Sequence, residues 1–237
     1  MSCHPHNLNS AGRSLRVLIA CEYSGTVRRE FAALGHDAWS CDLLPAEDRH
    51  NKHLVGDVRN YLAGIDGQPW DLLMVAHPPC TRLCNSGVRW LSVPPPGKTL
   101  EQMQAELVEG AALFSACLNA PIERICVENP VMHRHAKALI TNYVEPAQSV
   151  QPWQYGHYET KRTCFWLKGL PALIPTYERQ EDCRRALGLA SDAAVEHRVH
   201  MASPGKDRWK ERSKFFSGIA KAMALQWGGN IEQMVAA

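Results

Sequence analysis

Two short stretches of the chain carry residue types that can do covalent chemistry. The first is Asp71-Leu72-Leu73-Met74-Val75-Ala76-His77-Pro78-Pro79-Cys80-Thr81, an apolar run with an acid at its mouth, closed by two prolines and a cysteine. The second is the apolar run Ile122 to Val127, closed by Glu128-Asn129-Pro130. Proline fixes its own φ and restricts the residue before it, so both ends are stiff corners. Runs of this kind read as buried strands of a parallel sheet, and ligands bind outside the carboxyl ends of such strands. A thiol and a carboxyl group on two such corners suit nucleophilic attack on an acceptor that becomes more electrophilic when protonated or hydrogen-bonded. The competing account of Cys80 is plain core packing by a small apolar thiol.

The elements that must position these corners follow an alternating pattern. Leu15 to Ala20 reads as a first strand, followed by the turn Cys21-Glu22-Tyr23-Ser24-Gly25-Thr26 and a helix from Val27 to Leu34 with Val27, Phe31 and Leu34 on one face. Ser24 or Thr26 is expected to cap that helix, with Glu22 as either a cap or a cofactor contact. A short strand over 38–41 leaves Asp42 just past its end, and an extended segment over 53–58 carries Asp57. A strand, tight turn and helix, with an acid after the next strand, make an adenosine-binding half-site: the helix start faces the ligand and the acid accepts the ribose hydroxyls. Asp57 has an alternative as a turn or cap acid. Residues 81–99 form a long connection, expected to act as a lid over Cys80. Helices are predicted over 100–118, 132–140, 179–188 and 213–227, and strands over 122–127, 143–150 and 161–167. Cys84 lies four residues beyond Cys80, with no need to be near it in space.

Composition bounds the partners. The 237 residues are 45% hydrophobic and 21% charged with a net charge of +2, which fits a soluble globular chain and no global polycation. Basic residues gather at 179–185 and 205–214, which favours a phosphate-bearing partner. No apolar run reaches membrane-spanning length, and Met1 to His6 lack the core of a signal peptide. Nine cysteines, an odd number, read as free thiols of a cytoplasmic protein. The spacing of Cys80 and Cys84 does not fit a structural zinc site, so no metal is expected.

Pro78-Pro79-Cys80 and Glu128-Asn129-Pro130 resemble the two signature motifs of cytosine-C5 DNA methyltransferases, in the same order. The resemblance covers about residues 15–167 and 213–227, and matches a short, phage-like member. It implies a Rossmann-like α/β methyltransferase fold, a mostly parallel sheet with helices on both faces. S-adenosyl-L-methionine (SAM) is the implied cofactor, held by Cys21, Glu22, Tyr23, Ser24, Gly25, Asp42, Asp57 and Pro78. Cys80 would attack C6 of cytosine, Glu128 would hold N3 and the exocyclic amine, Asn129 would support the Cys80 corner, and Arg162 would contact the base O2. Thr81, Arg82, Arg89 and Lys161 would meet the substrate. The implied partner is duplex DNA with a flipped-out cytosine, acted on by a monomer or weak dimer in a bacterial host cytoplasm.

The chain departs from the family in several places. Its turn keeps one glycine, Gly25. Thr81 follows the cysteine where glutamine is usual, and only Arg162 matches the arginine motif well. Gly229-Asn230 lies after the last helix instead of opening it. Little sequence is left for target recognition. The expected organisation is a tail over 1–13, a catalytic domain over 14–167 plus 213–237, and a small basic recognition subdomain over 168–212. Short or relaxed specificity follows. The alternatives are the same chemistry on RNA or a free cytosine nucleotide, a catalytically inactive SAM- or nucleic-acid-binding protein, and transfer of a larger group from a modified SAM.

Overall fold

The computed structural model describes residues 14–75, 78, 80–197 and 215–229. The tail, His77, Pro79, the basic segment 205–214 and Asn230 lie outside the described residues.

Seven strands form one sheet: β1 (Arg16–Ala20), β2 (Asp37–Asp42), β3 (His53–Val55), β4 (Leu72–Val75), β5 (Arg124–Asn129), β6 (Gln148–Val150) and β7 (Thr163–Lys168). Their order is β3-β2-β1-β4-β5-β7-β6. Neighbours from β3 to β5 pair in parallel, whereas β7 runs antiparallel to both β5 and β6. This is the Rossmann-like methyltransferase sheet that the sequence implies. The chain leaves β1 toward β2 on one side and returns as β4 on the other, so a crevice opens above the β1/β4 junction.

The period of two along each strand builds two cores. Leu18, Ala20, Leu73, Ile125, Val127 and Trp166 face one side. There they pack on α2 (Leu100–Leu118) and α3 (Arg134–Leu139) through Leu107, Phe114 and Ala136. Val17, Ile19, Leu72, Met74, Cys126 and Phe165 face the other side, against α1 (Thr26–Ala33) and the C-terminal helix Ser217–Trp227. The long helix α2 begins with a capping box: Gln102 N donates to Thr99 Oγ1 at 3.2 Å and Thr99 N to Gln102 Oε1 at 2.9 Å, worth about 1 kcal/mol. Its buried stripe is Met103, Leu107, Ala111 and Phe114. The next stripe round, Ala105, Glu106, Glu109 and Leu113, therefore faces the crevice.

Most strand ends lie within two residues of expectation, but the strand expected over 143–150 is confined to Gln148–Val150 and the segment over 53–58 to His53–Val55. The larger difference lies at the second corner. Glu128 and Asn129 are the last residues of β5, paired with Phe165 and Cys164 of β7, so sheet pairing as well as proline holds them. Part of the expected 168–212 subdomain is fastened to the main body. Gln148 bonds Leu173 N and O (2.8 and 2.7 Å), and Gln226 bonds Ile174 N and O (2.8 and 2.9 Å). Beyond it, helix α4 spans Gln180–Ala186; the C-terminal helix Ser217–Trp227 is α5.

Candidate active site

A cavity of about 740 Å³ sits at the crevice, within the size range of small-molecule sites. Its wall is assembled from the carboxyl ends of successive strands: Cys21 after β1, Asp42 at the end of β2, Gly56 and Asp57 after β3, and Thr81 and Arg82 after β4. Helix α2 closes it with Glu106, Glu109 and Leu113. Among the expected cofactor residues, Cys21, Asp42 and Asp57 line this space, while Glu22, Tyr23, Ser24, Gly25 and Pro78 are not part of its wall. Asp42 uses one carboxylate oxygen on Leu44 N at 2.9 Å, and burial pushes its carboxyl upward from the usual value. Asp57 takes both of its expected places: it caps the 3-10 turn Val58–Asn60 and faces the cavity. Its carboxylate also grips Arg59, which holds it below the usual range, and Arg59 reaches on to Glu109 at 2.7 Å.

The turn after β1 works as an anchor for α1. Ser24 and Thr26, expected as caps from the sequence, do not cap the helix. Gly25 occupies the cap position with φ +69 and no side chain to offer. The cap comes from Glu22, whose two oxygens accept from Val27 N at 2.6 Å and Arg28 N at 3.2 Å. Burial of this carboxyl raises it to about 7 despite the amides and the two arginines. Thus Glu22 fixes where Cys21 sits, and Cys21 itself is held at φ +56.

The thiol corner and the carboxyl corner are stitched together. Leu83 N and Cys84 N both donate to the Cys80 carbonyl at 3.0 Å, so residues 80–84 form a tight turn. Asn85 N donates to Val131 O, His133 N to Leu83 O, and the His133 ring bonds Arg82 O at 2.6 Å. The segment after Glu128-Asn129-Pro130 is therefore laid against the segment after Cys80. Residues 85–91 continue as a 3-10 helix. Gly87 is wedged so that a Cβ would meet Thr81 O at 1.8 Å. The first half of the expected lid is thus a folded strap.

Glu128 is 3% exposed, and burial raises its carboxyl to about 7, opposed by the charge of Lys161. The Thr163 hydroxyl is within its hydrogen-bonding reach. Asn129 is fully buried, and neither amide atom has a hydrogen-bond partner among the described residues. Cys80 is half-buried; its thiol is pushed well up by its hydrogen bond to Cys84, by burial, and by the charges of Cys84 and Glu128.

Several expected substrate residues fall elsewhere. Alternation along β7 puts Lys161 and Thr163 on the Glu128 face and Arg162 on the opposite face. Lys161 is the cation whose charge reaches both Glu128 and Cys80. Arg162 is exposed and donates to Ser149 Oγ at 3.0 Å. Arg82 is buried in the cavity wall with Nε on Glu106 at 2.7 Å, acting as a brace. Arg89 is exposed, with its guanidinium 4.0 Å over the Trp90 ring. Sequence reasoning missed Thr163, His133, Glu109 and the nearness of Cys84. The period of two from Phe165 back to Lys161 was the available signal for the first. An i, i+4 turn was the available signal for the last.

No protein-family model matches the chain, and no curated protein matches it. Solved structures do match. One is a prophage-encoded protein assigned as a DNA modification methyltransferase (E. coli), at 16% identity and TM-score 0.43, covering 69% of this chain and 51% of that one. Another is S. pombe Dnmt2 methyltransferase, at 14% identity and TM-score 0.38, covering 83% and 61%. This chain therefore spans about half to three-fifths of their length. Its fold class is defined by the strand order and register described above.

Proposed function

We propose that the chain is a SAM-dependent methyltransferase that modifies C5 of cytosine in DNA. The observation that carries this is the convergence of Cys80 and a buried, near-neutral Glu128 on one stitched corner beside a cofactor-sized cavity. The cavity residues fit SAM: Asp42 suits the ribose hydroxyls, and the surplus of acidic over basic side chains in the wall suits a cationic ligand. Bound there, SAM supplies an electrophilic methyl group.

The remaining chemistry belongs to the chain. Cys80 Sγ adds to C6 of the cytosine. A protonated Glu128, available because its carboxyl titrates at about 7, gives its proton to N3, so that as the sulfur adds to C6 the C5–C6 π pair shifts to C4–C5 and the C4–N3 π pair is taken up by the new N3–H bond. Lys161 keeps that proton mobile by opposing the effect of burial. The base must leave the helix stack to reach this corner. Buried Asn129 stands ready to bond the Cys80 corner or the base edge.

The test is duplex DNA with 5-fluorocytosine in place of every cytosine, offered with SAM. A covalent protein–DNA adduct that survives denaturation is expected, because fluorine cannot leave C5 as a proton does. Cys80→Ala should give none. Methyl transfer to ordinary DNA without any adduct would reject attack at C6.

A further inference from the structure

The turn after Cys80 is held from two directions, and one of the holds is a side chain that the mechanism above does not use. His133 is 4% exposed and stands at the start of α3. Its two ring nitrogens face partners of opposite kind. Nδ1 lies 3.0 Å from Ala136 N, a donor, and Nε2 lies 2.6 Å from Arg82 O, an acceptor. A carbonyl only accepts and an amide N–H only donates, so the ring carries its proton on Nε2 and leaves Nδ1 to accept. The His133 backbone N also donates to Leu83 O at 3.1 Å. Arg82 is fixed at its other end, where Nε donates to Glu106 Oε2 on α2 at 2.7 Å, a carboxylate that Lys98 shares. The carbonyl that His133 grips thus belongs to a residue with little freedom, two positions after Cys80.

We propose that His133 is a positioning residue that sets the place of Cys80 relative to Glu128. The two groups must meet one base, yet they are anchored differently. Glu128 is fixed by the pairing of β5 with β7. Cys80 lies past the end of β4 in a turn that sheet pairing does not reach, so contacts with the segment after Glu128 must place it. Those contacts are Asn85 N to Val131 O, the bridge of Cys84 to Met132, His133 N to Leu83 O, and the His133 ring to Arg82 O. The ring bond falls nearest to Cys80 in sequence. A reacting group misplaced by ~1 Å can lose about 10²-fold in rate. His133 does two jobs that side chains of different length can separate. Capping α3 needs an acceptor on a short side chain, which Asn supplies well. Reaching Arg82 O needs a donor as far out as Nε2, which Gln can place and Asn cannot.

This rests on Cys80 being the nucleophile, but its first test does not. Amide hydrogen exchange of the full chain, followed by NMR, reads the turn directly, because Leu83 N and Cys84 N both donate to Cys80 O. In His133→Asn those two amides should exchange about fivefold faster or more, since the turn opens more often once Arg82 O loses its donor. The amides of α3 should keep their protection. His133→Gln should return Leu83 and Cys84 to near the wild-type rate while α3 exchanges faster. A histidine that served only as a cap would give the reverse order, with His133→Asn the milder change, and that result would overturn the proposal. The second test is the rate of adduct formation with 5-fluorocytosine DNA and SAM. His133→Asn should slow it about 10-fold or more with SAM affinity unchanged, and His133→Gln should recover most of the loss. A wild-type rate in His133→Asn, or a loss confined to SAM affinity, would overturn the positioning role. Absence of an adduct from the wild-type protein would instead defeat the assignment of Cys80, and the exchange rates would still decide whether His133 holds the turn.

Discussion

The cavity and the corner lie side by side at one sheet edge, yet they treat charge in opposite ways. In the cavity wall the charged side chains other than Asp42 are matched: Asp57 with Arg59, Arg59 with Glu109, and Arg82 and Lys98 with Glu106. At the corner, Glu128 is buried with its titration raised, and the Asn129 amide has no hydrogen-bond partner among the described residues. An unmet buried polar group costs about 1–3 kcal/mol. Apart from Asp42, the wall's charges are balanced within the chain, whereas the corner holds buried polar groups that substrate contacts can meet. That division is what a binding site beside a reaction site requires, and it can be broken by substitutions that touch one region alone.

The largest expected effect separates the two regions outright. Cys80→Ala should remove methyl transfer below detection in a labelled-methyl assay while leaving SAM affinity by calorimetry within about threefold, on the order of 0.6 kcal/mol. Asp42→Ala should do the reverse, weakening SAM by ~10-fold or more through lost hydrogen bonds and leaving turnover at saturating SAM largely intact. Equal loss of affinity in both variants would dissolve the division.

Glu128→Gln carries the next effect. As a lost acid it should slow transfer by about 10²-fold. It should also stabilise the chain at neutral and higher pH, and the sign follows from linkage. The folded carboxyl titrates at about 7 against the usual 4.5, so the folded state holds an extra proton between those values. Stability from this group is complete below the lower value and declines as pH rises to about 7. The decline is at most ~3 kcal/mol at 1.36 kcal/mol per unit. Glu22 is raised in the same way and contributes a second decline over the same window. Denaturant midpoints should therefore fall between pH 5 and 7 in the wild-type protein, and fall less in Glu128→Gln. An identical pH slope in the two would show that Glu128 is not held protonated.

A smaller effect sharpens which cation belongs to the corner. Lys161→Met should raise the Glu128 titration by about one unit, because an opposite charge is lost nearby. The alkaline limb of the pH–rate profile, where Glu128 loses its proton, should move upward by a similar amount. Arg162→Met should leave that limb in place, since Arg162 faces Ser149 on the other side of β7. A shift in the Arg162 variant and none in the Lys161 variant would restore the arginine to the role its motif implied.

Much of the frame was legible in the residues because it depends on local pattern. Alternation and proline stops gave β1, β4 and the two corners, and helix α2 was bounded correctly at Leu100 and Leu118. Asp42, Asp57, Cys80 and Glu128 could be singled out because each stands at or just past a strand end. What escaped depends on contacts distant in sequence. Arg82 looked like a free substrate cation until Glu106, from α2, was seen to hold it. Lys161 and Arg162 are adjacent, and only the facing of β7 decides between them. Cys84 appeared remote because the turn that returns it to Cys80 is fixed partly by the bond of Asn85 N to Val131 O, supplied by the other corner.

The smallest expected effect concerns the join between anchor and cavity. Cys21 sits at φ +56, a left-handed conformation that costs an L residue about 1–2 kcal/mol. Glu22, locked onto the start of α1, holds it there. Cys21→Gly relieves that strain but gives up the buried sulfur and frees the unfolded chain, which costs about 0.5–1 kcal/mol. The net change in stability should stay within about 1 kcal/mol. Cys21→Val keeps comparable bulk but adds branching at Cβ, which the left-handed region tolerates worst, so it should lose ~2 kcal/mol or more. If denaturation of the valine variant matched that of the wild-type protein, the turn would be relaxed, and the anchoring of the cavity wall through Glu22 would lose its physical basis.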